Sequence, residues 1–215
     1  GKTFSAVDES VSPPLRCVVK ELQIHSQAST ELFGQRSHKL KELAEHPQIP
    51  TLLDAWQEEN GDVYLVHELI EGNNLAQIIE KKGVLNEVEV WQILNELLPI
   101  LKFIHEHKVI HGDIKPENII CRENKAEPWG MRSQVEPGNE GVGVGGRFVL
   151  VDWGAALVGM EVESFIGSAE YVAPEQARGK AVFASDLYSL GVSCLYFLTG
   201  ISPFHLFEGA CDRII

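Results

Sequence analysis

The chain contains few cysteines and no apolar run long enough to cross a bilayer. Its 215 residues include only four cysteines, and no two of them have the CxxC spacing that marks many zinc and redox sites. Sparse cysteines without such spacing are typical of a reducing compartment, so we expect a cytoplasmic protein. The longest apolar stretch covers residues 187–198, which is shorter than a membrane-spanning helix. The sequence therefore predicts no membrane segment within the chain.

Basic side chains are also scarce. Lysine and arginine together number 18 against 31 aspartates and glutamates, which gives a formal net charge of −13. A protein that binds nucleic acid needs a basic surface to neutralise phosphates, so this charge argues against a nucleic-acid partner. Hydrophobic residues make up 44% of the chain, a proportion that is ordinary for a folded domain and excludes a disordered or collagen-like chain.

The first part of the sequence predicts strands around one helix. Residues 15–22 are rich in β-branched side chains, which favour a strand. Residues 29–45 place leucines at helical spacing. Two further strands, 51–57 and 62–70, flank Asn60-Gly61, a dipeptide typical of a hairpin turn. This part of the chain is therefore expected to form a small sheet with one helix.

The longest predicted helix lies in the middle of the chain, over residues 86–107. Asn86 and Glu89 have the spacing of a capping box, and apolar residues then recur every three or four positions. Pro99 lies inside this stretch and predicts a kink, because proline lacks the backbone N–H that a helix interior uses.

After this helix the composition changes. Residues 122–146 are rich in glycine and predict a flexible surface insertion. An apolar strand is then predicted at 147–151 and a second apolar helix at 184–199. Because strands come first and helices later, the sequence predicts an α+β fold with two lobes.

Four short motifs carry the chemical information. His111–Asn118 places an aspartate, a lysine and an asparagine in one loop, and Asp152–Gly154 directly follows a predicted strand. Gly167–Glu175 ends in Ala-Pro-Glu, and Ser185–Gly191 reads Ser-Asp-Leu-Tyr-Ser-Leu-Gly. Each motif alone is weak, since Asp-x-Gly is usually a turn and Ala-Pro-Glu is often a helix start. Together and in this order they resemble the protein kinase family, and the last of them resembles its cyanobacterial serine/threonine branch.

The resemblance implies a two-lobed kinase fold that transfers the γ-phosphate of ATP to serine or threonine hydroxyls of a protein substrate. It assigns Asp113 to orienting the acceptor hydroxyl, Lys115 to neutralising the γ-phosphate, and Lys20 to contacting the α- and β-phosphates. Asn118 and Asp152 would supply the oxygen ligands that suit Mg²⁺. ATP and Mg²⁺ are therefore the expected cofactors.

The resemblance also assigns the nucleotide site and its supports. The backbone from Glu68 to Ile70 matches the hinge that binds adenine, and His67 falls at the gatekeeper position before it. Asp186 is expected to hold the backbone of the catalytic loop, and His111 is expected to be structural. The remaining residues assigned to the nucleotide are Gly1 and Thr3 at the tail of a glycine-rich loop, Lys20, and Val18 and Ile120 on either side of the base.

The sequence departs from the family pattern at several positions. The helix glutamate that should pair with Lys20 falls at Arg36, where an arginine is expected to repel the lysine. If that reasoning holds, Arg36→Glu raises activity. The arginine that usually precedes the catalytic aspartate is Gly112 here, which argues against activation by loop phosphorylation. Ser168 matches a position whose hydroxyl contacts Asp113.

The resemblance predicts two partial lobes. Residues 1–70 would form an incomplete N-terminal lobe with the hinge, and residues 71–215 an incomplete C-terminal lobe. The start of the glycine-rich loop and the last helices of the family have no counterpart in the chain. We therefore expect a piece truncated at both ends, with an exposed apolar face and low stability.

Two alternative functions remain open. A pseudokinase, or an impaired nucleotide-binding scaffold, is favoured by Arg36, although the intact Lys20, Asp113, Asn118 and Asp152 oppose it. A small-molecule phosphotransferase would share His-Gly-Asp and an asparagine five residues after the aspartate. It would lack the Lys-Pro-Glu and Ala-Pro-Glu segments that this chain contains.

Overall fold

The computed structural model describes residues 2–22, 30–122, 148–158 and 168–206. The first part of the chain forms a four-stranded antiparallel sheet with the strand order β1-β2-β4-β3. A helix, α1, spans Thr30–Leu43 between the second and third strands of the sequence. The strands are β1 at Lys2–Asp8, β2 at Leu15–Leu22, β3 at Leu52–Gln57 and β4 at Val63–Glu68.

Strands β3 and β4 form the predicted hairpin. Gly61 has a φ of +91°, in the region that glycine adopts without a side-chain clash. Two backbone hydrogen bonds close the turn: Gly61 N donates to Glu58 O at 3.0 Å, and Glu58 N donates to Asp62 O at 2.9 Å. The turn therefore fixes the register of β4, the strand that leads into the predicted hinge.

Helices dominate the rest of the chain. The longest, α3, begins with a capping box in which Asn86 Oδ1 accepts a hydrogen bond from Glu89 N and Glu89 Oε2 accepts one from Asn86 N, both at 3.0 Å. The helix continues through Pro99 as a single element. The helices of this part are α2 at Leu75–Lys82, α3 at Glu87–Glu106, α4 at Pro174–Ala177 and α5 at Phe183–Thr199.

Short strands connect the helices to the candidate site. They are β5 at Gly72–Asn74, β6 at Val109–Ile110, β7 at Ile119–Arg122, β8 at Phe148–Leu150 and β9 at Leu157–Val158. One sheet has the order β5-β7-β8, and β6 pairs with β9. The segment 111–118 therefore runs from β6 to β7, and Asp152 lies just beyond the end of β8.

One apolar core joins the sheet to the helices. Gln48 links the two parts as well, because its carbonyl accepts a hydrogen bond from Leu150 N at 3.0 Å and its Nε2 donates to Phe148 O at 2.8 Å. The core includes Leu40 and Leu43 of α1, Leu52, Val63 and Leu65 of the sheet, and Ile93, Leu97, Ile100, Leu101, Ile104 and Phe197 of the helices. A β-sheet followed by helices is the α+β arrangement that the sequence predicts.

Three of the sequence predictions concern exposed apolar side chains, the glycine-rich insertion and membrane-spanning helices. On α5, the apolar side chains of Leu187, Leu195 and Leu198 are 43 to 47% exposed. Residues 123–146 of the predicted insertion lie outside the described residues, as does Gly1. In the four described ranges, no helix combines the length and apolar character required to cross a membrane.

Candidate active site

The loop after β6 is held in place by a buried carboxylate on α5. Asp186 is 1% exposed, and its two oxygens accept hydrogen bonds from the backbone N–H groups of His111 and Gly112, each at 2.9 Å. His105 Nε2 lies 2.8 Å from the same carboxylate. A charged acceptor makes stronger hydrogen bonds than a neutral one, so Asp186 anchors the backbone that carries Asp113. This is the contact that the family resemblance predicts for Asp186.

His111 supports the same loop from inside the protein. It is fully buried, its Nδ1 accepts a hydrogen bond from Asp113 N at 3.3 Å, and its Nε2 lies 3.1 Å from Val151 O. With Nδ1 accepting, the proton belongs on Nε2, which donates to the carbonyl. Burial lowers the pKa of His111 below its ordinary value, so the ring is neutral at neutral pH. The structural role predicted for His111 fits these contacts.

Asp113 is surrounded by groups that favour its charged form. Its Oδ1 accepts a hydrogen bond from Ser168 N at 2.9 Å, and its Oδ2 accepts one from Asn118 Nδ2 at 2.9 Å. Lys115 Nζ lies 3.2 Å from Oδ2. Burial opposes the charge, but the Lys115 ammonium and the Ser168 hydrogen bond outweigh it and lower the pKa of Asp113. Asp113 is therefore a carboxylate at neutral pH, able to accept a hydrogen bond from a hydroxyl.

The Ser168 hydroxyl makes a different contact from the predicted one. Lys115 Nζ donates to Ser168 Oγ at 2.5 Å, whereas the contact with Asp113 comes from the Ser168 backbone N–H. The hydroxyl prediction was therefore wrong, because the lysine ammonium lies between the serine side chain and the aspartate. Ser168 still joins the segment before α4 to the loop that carries Asp113.

Asn118 and Asp152 lie at the adjoining ends of two paired strands. Asn118 immediately precedes β7 and Asp152 follows β8, with Ile119 of β7 opposite Leu150 of β8. Val151 N donates to Asn118 O at 2.9 Å, and this hydrogen bond continues the pairing of β7 and β8 up to the two site residues. Asn118 Nδ2 also donates to Asp113 O at 2.8 Å, so its Oδ1 is the side-chain atom that could ligate a cation.

The donor set of these two residues suits magnesium. An amide oxygen and a carboxylate are hard ligands, and Mg²⁺ in nucleotide enzymes usually takes only one or two carboxylates, with phosphates and water completing the shell. Within the described ranges, no group of three or more His, Cys, Asp or Glu side chains could hold a metal ion.

Lys20 reaches the site from the sheet. It lies on β2, opposite Thr3 of β1 and Leu65 of β4, and its ammonium forms an ion pair with Asp152 Oδ1. Gly154 makes room for this side chain, because a Cβ at position 154 would lie 2.6 Å from Lys20 Cε. The structure thus gives Lys20 a carboxylate partner, but that partner is the predicted metal ligand.

Arg36 lies on α1 and reaches the same region, which is where the family resemblance places the residue at this helix position. Its Nη2 donates to Gly154 O at 2.6 Å and to Trp153 O at 3.2 Å. Burial lowers the pKa of Arg36 to about 10, so the guanidinium stays positively charged at neutral pH. The expected repulsion between Arg36 and Lys20 is offset here, because each cation has its own acceptors.

The residues assigned to adenine lie at the end of β4 and on the strands beside it. Val18 of β2 is opposite His67 of β4, and burial lowers the pKa of His67 to about 4, so this ring is neutral. Glu68 N donates to Thr51 O at 3.0 Å, and Leu69 N donates to Arg16 O at 3.3 Å. These two bonds hold the start of the predicted hinge.

The structure therefore brings the predicted site residues together in two directly bonded groups. Asp113, Lys115 and Asn118 contact one another, and Lys20 contacts Asp152. The described residues predicted to bind the nucleotide come from several elements: Thr3, Val18 and Glu68 lie on the sheet that carries Lys20, Ile120 lies on β7, and Ile70 lies between β4 and β5. Sequence reasoning missed the acceptors of Arg36, because backbone carbonyls leave no signal in the sequence.

Comparison with known proteins finds similarity to protein kinases, as the sequence motifs predict. A sequence model of the protein kinase domain matches residues 3–213. The chain is 35% identical to serine/threonine-protein kinase B of Synechocystis sp., over 94% of the chain and 35% of that protein. It is 37% identical to serine/threonine-protein kinase PknA of Nostoc sp., over 94% of the chain and 35% of that protein.

A third relative is serine/threonine-protein kinase C of Synechocystis sp., 36% identical over 96% of the chain and 38% of that protein. The chain thus spans between 35% and 38% of the length of these three relatives. The predicted resemblance is confirmed over almost the whole chain, and the chain belongs to the protein kinase family, in its bacterial serine/threonine branch.

Proposed function

We propose that the protein transfers the γ-phosphate of ATP to serine or threonine hydroxyls of a protein substrate. The observation that carries this proposal is the arrangement around Asp113. A carboxylate with a lowered pKa is held by Asn118, Lys115 and Ser168 in a loop whose backbone is fixed by Asp186. Phosphoryl transfer depends mainly on positioning and charge stabilisation, and this arrangement supplies both.

In the proposed reaction Asp113 accepts a hydrogen bond from the substrate hydroxyl and orients its oxygen toward the γ-phosphorus. A new P–O bond forms to that oxygen while the bond between the γ-phosphorus and the β–γ bridging oxygen breaks, so that ADP leaves. The hydroxyl proton passes toward the Asp113 carboxylate. Lys115, 3.2 Å from that carboxylate, stabilises the negative charge of the transferred phosphoryl group.

Nucleotide binding requires Lys20 and Asp152 to exchange partners. In the proposal Lys20 turns from Asp152 to the α- and β-phosphates, and Asp152 joins Asn118 in ligating Mg²⁺. Bound Mg²⁺ would neutralise charge on the triphosphate. The adenine would lie against the backbone of Glu68 to Ile70, between Val18 and Ile120, with Gly1 and Thr3 near the phosphates.

We also propose the lobe boundary near residue 70, with residues 1–70 as an N-terminal lobe and 71–215 as a C-terminal lobe. The supporting observation is that the sheet that carries Lys20 ends at Glu68, whereas the loop that carries Asp113 lies among the helices. ATP-dependent transfer to proteins and the scarcity of cysteine support a cytoplasmic setting.

A second candidate function is that of a pseudokinase, which would bind nucleotide or a partner without transferring phosphate. It is favoured by Arg36, which occupies the position where the family has a glutamate, and by the ion pair between Lys20 and the predicted metal ligand Asp152. A small-molecule phosphotransferase is less well supported, because the relatives that match nearly the whole chain are named serine/threonine-protein kinases.

The proposal is tested with γ-labelled ATP and a basic protein substrate. We expect the wild type to transfer label to serine or threonine, and Asp113→Asn to transfer at least about 100-fold less while still binding nucleotide, because general-base and orienting groups contribute about this much. Asp54→Asn is the matched control, since Asp54 is an exposed aspartate on β3. Nucleotide binding without transfer at any Mg²⁺ concentration would favour the pseudokinase.

A further inference from the structure

Arg36 connects α1 to the segment that follows Asp152. Its Nη2 donates to the carbonyl oxygens of Gly154 and Trp153, at 2.6 and 3.2 Å. Its Nε is buried without a hydrogen-bond partner among the described residues. The guanidinium is therefore directed at the backbone of this segment, with no described carboxylate within ion-pair distance.

The two carbonyls belong to the turn that aims the Asp152 carboxylate. Asp152 has a left-handed backbone, with a φ of +67°, and its Oδ1 accepts a hydrogen bond from Gly154 N at 3.3 Å. Ala156 N donates to Trp153 O at 3.2 Å and completes the turn. A non-glycine residue holds a left-handed conformation only where its surroundings stabilise it, and Arg36 supplies two hydrogen bonds to this turn from outside it.

The same turn leads to the loop that carries Asp113. Trp153 packs edge-on against His111, with ring centroids 4.7 Å apart. Beyond the turn, β9 pairs with β6, the strand that runs into His111, with Ile110 opposite Leu157. The hydrogen bonds from α1 to Trp153 and Gly154 therefore support a turn that contacts both the loop of Asp113 and the carboxylate of Asp152.

We propose that Arg36 is a positioning residue for phosphoryl transfer, which fastens α1 to the backbone of Trp153 and Gly154 and thereby holds Asp152 in place. This inference rests on the function proposed above. Arginine suits the task because its planar fork presents several N–H donors and keeps its charge when buried. A glutamate at position 36 would instead direct a carboxylate at two carbonyl oxygens, close to Asp152.

The inference reverses the effect that sequence reasoning predicts for Arg36→Glu. If the missing glutamate–lysine pair limits activity, Arg36→Glu raises kcat/KM. If Arg36 fastens the helix to the turn, the same variant lowers kcat/KM by well over about tenfold, since buried acceptors lose a charged donor and face a like partial charge. The sign of the change separates the two accounts.

The experiment measures kcat and KM for ATP in the full chain with four substitutions. We expect Arg36→Met to lower kcat/KM at least about tenfold, because both hydrogen bonds are lost. Arg36→Lys keeps the charge and one donor group, and it should recover most of that loss. Lys41→Met is the matched control, since Lys41 is an exposed basic residue on the same helix, and it should leave both constants unchanged. Increased activity in Arg36→Glu, or equal loss in Arg36→Lys and Arg36→Met, would overturn the proposal.

A second readout needs neither nucleotide nor activity. Hydrogen–deuterium exchange of residues 152–158 should be at least about tenfold faster in Arg36→Met than in the wild type, since the turn would lose its hydrogen bonds to α1. In Arg36→Lys the exchange rate should lie closer to that of the wild type. Unchanged exchange in Arg36→Met overturns the inference even if the wild type transfers phosphate. Conversely, a wild type without transfer but with faster exchange in Arg36→Met refutes the proposed function and leaves the attachment of α1 to the turn intact.

Discussion

Replacing Asp186 by asparagine should destabilise the protein through one buried contact set. The Asp186 carboxylate accepts hydrogen bonds from the N–H groups of His111 and Gly112 at 2.9 Å and lies 2.8 Å from His105 Nε2. Asparagine has the same shape but only one oxygen, so its amide group would face at least one of these donors. A hydrogen bond to a charged group contributes about 1.5–3 kcal/mol, and an unpaired buried donor costs about 1–3 kcal/mol. We therefore expect Asp186→Asn to lower the free energy of unfolding by about 2–4 kcal/mol.

Urea denaturation followed by circular dichroism measures this loss. The slope of the free energy against urea should be unchanged if both proteins unfold from the same compact state. Glu106→Gln is a suitable control, because Glu106 is exposed and lies 3.9 Å from Lys102, and an exposed pair contributes less than about 1 kcal/mol. If Asp186→Asn lost no more than Glu106→Gln, the reasoning that Asp186 anchors the loop would be refuted.

Three further changes test other contacts. Gly154→Ala should leave the free energy of unfolding within about 1 kcal/mol of the wild type, because the flexible Lys20 side chain can move away from the new methyl group. The same variant should weaken Mg-ATP binding about tenfold, the equivalent of about 1.4 kcal/mol. Unchanged affinity in a nucleotide titration would contradict the position given to Lys20. Gly112→Arg should destabilise the protein by about 1–2 kcal/mol in urea, since Gly112 has a φ of +77° and a Cβ there would lie 3.1 Å from Ala155 O; equal stability would show that the loop adapts. The free energy of unfolding should also depend on pH through His67, whose pKa is about 4 in the folded protein and 6.5 in the reference state. Between these values the unfolded chain binds a proton that the folded protein excludes, so the free energy of unfolding falls by roughly 2 kcal/mol from pH 7 to pH 5. His67→Met should make this pH dependence shallower.

Much of the fold could be predicted because its main elements have local signals. The strand predicted at 15–22 is β2, and the helices predicted at 86–107 and 184–199 match α3 and α5 within one residue at each end. Apolar periodicity and capping residues set these boundaries. In contrast, β1 was not predicted, and strands of two or three residues such as β6 and β9 are too short to show alternation. The helix α2 was also missed, although Asn74 and Gln77 form a capping box at its start.

The candidate site was predictable only where the family motifs extend. The motif residues Asp113, Lys115 and Asn118 lie within six positions, so their contact follows from one loop. The partners of Lys20 and Arg36 lie more than 100 residues away in sequence, and no local pattern specifies them. The sequence predicts repulsion between Arg36 and Lys20 because it shows only the charges of their side chains, whereas Arg36 donates its hydrogen bonds to backbone carbonyls. Sequence patterns describe side chains, so contacts of this kind become visible only in the fold.

The central claim is that Lys20, Asn118 and Asp152 form one site for a nucleotide and its metal ion. Calorimetric titration with ATP tests this claim most directly. It is carried out on the wild type and on Asp152→Asn, once in the presence of Mg²⁺ and once in the presence of a chelator. We expect Mg²⁺ to tighten ATP binding at least about tenfold in the wild type, a difference of about 1.4 kcal/mol, and to have little effect in Asp152→Asn. Equal ATP affinity in both proteins, with no dependence on Mg²⁺ in either, would contradict the account.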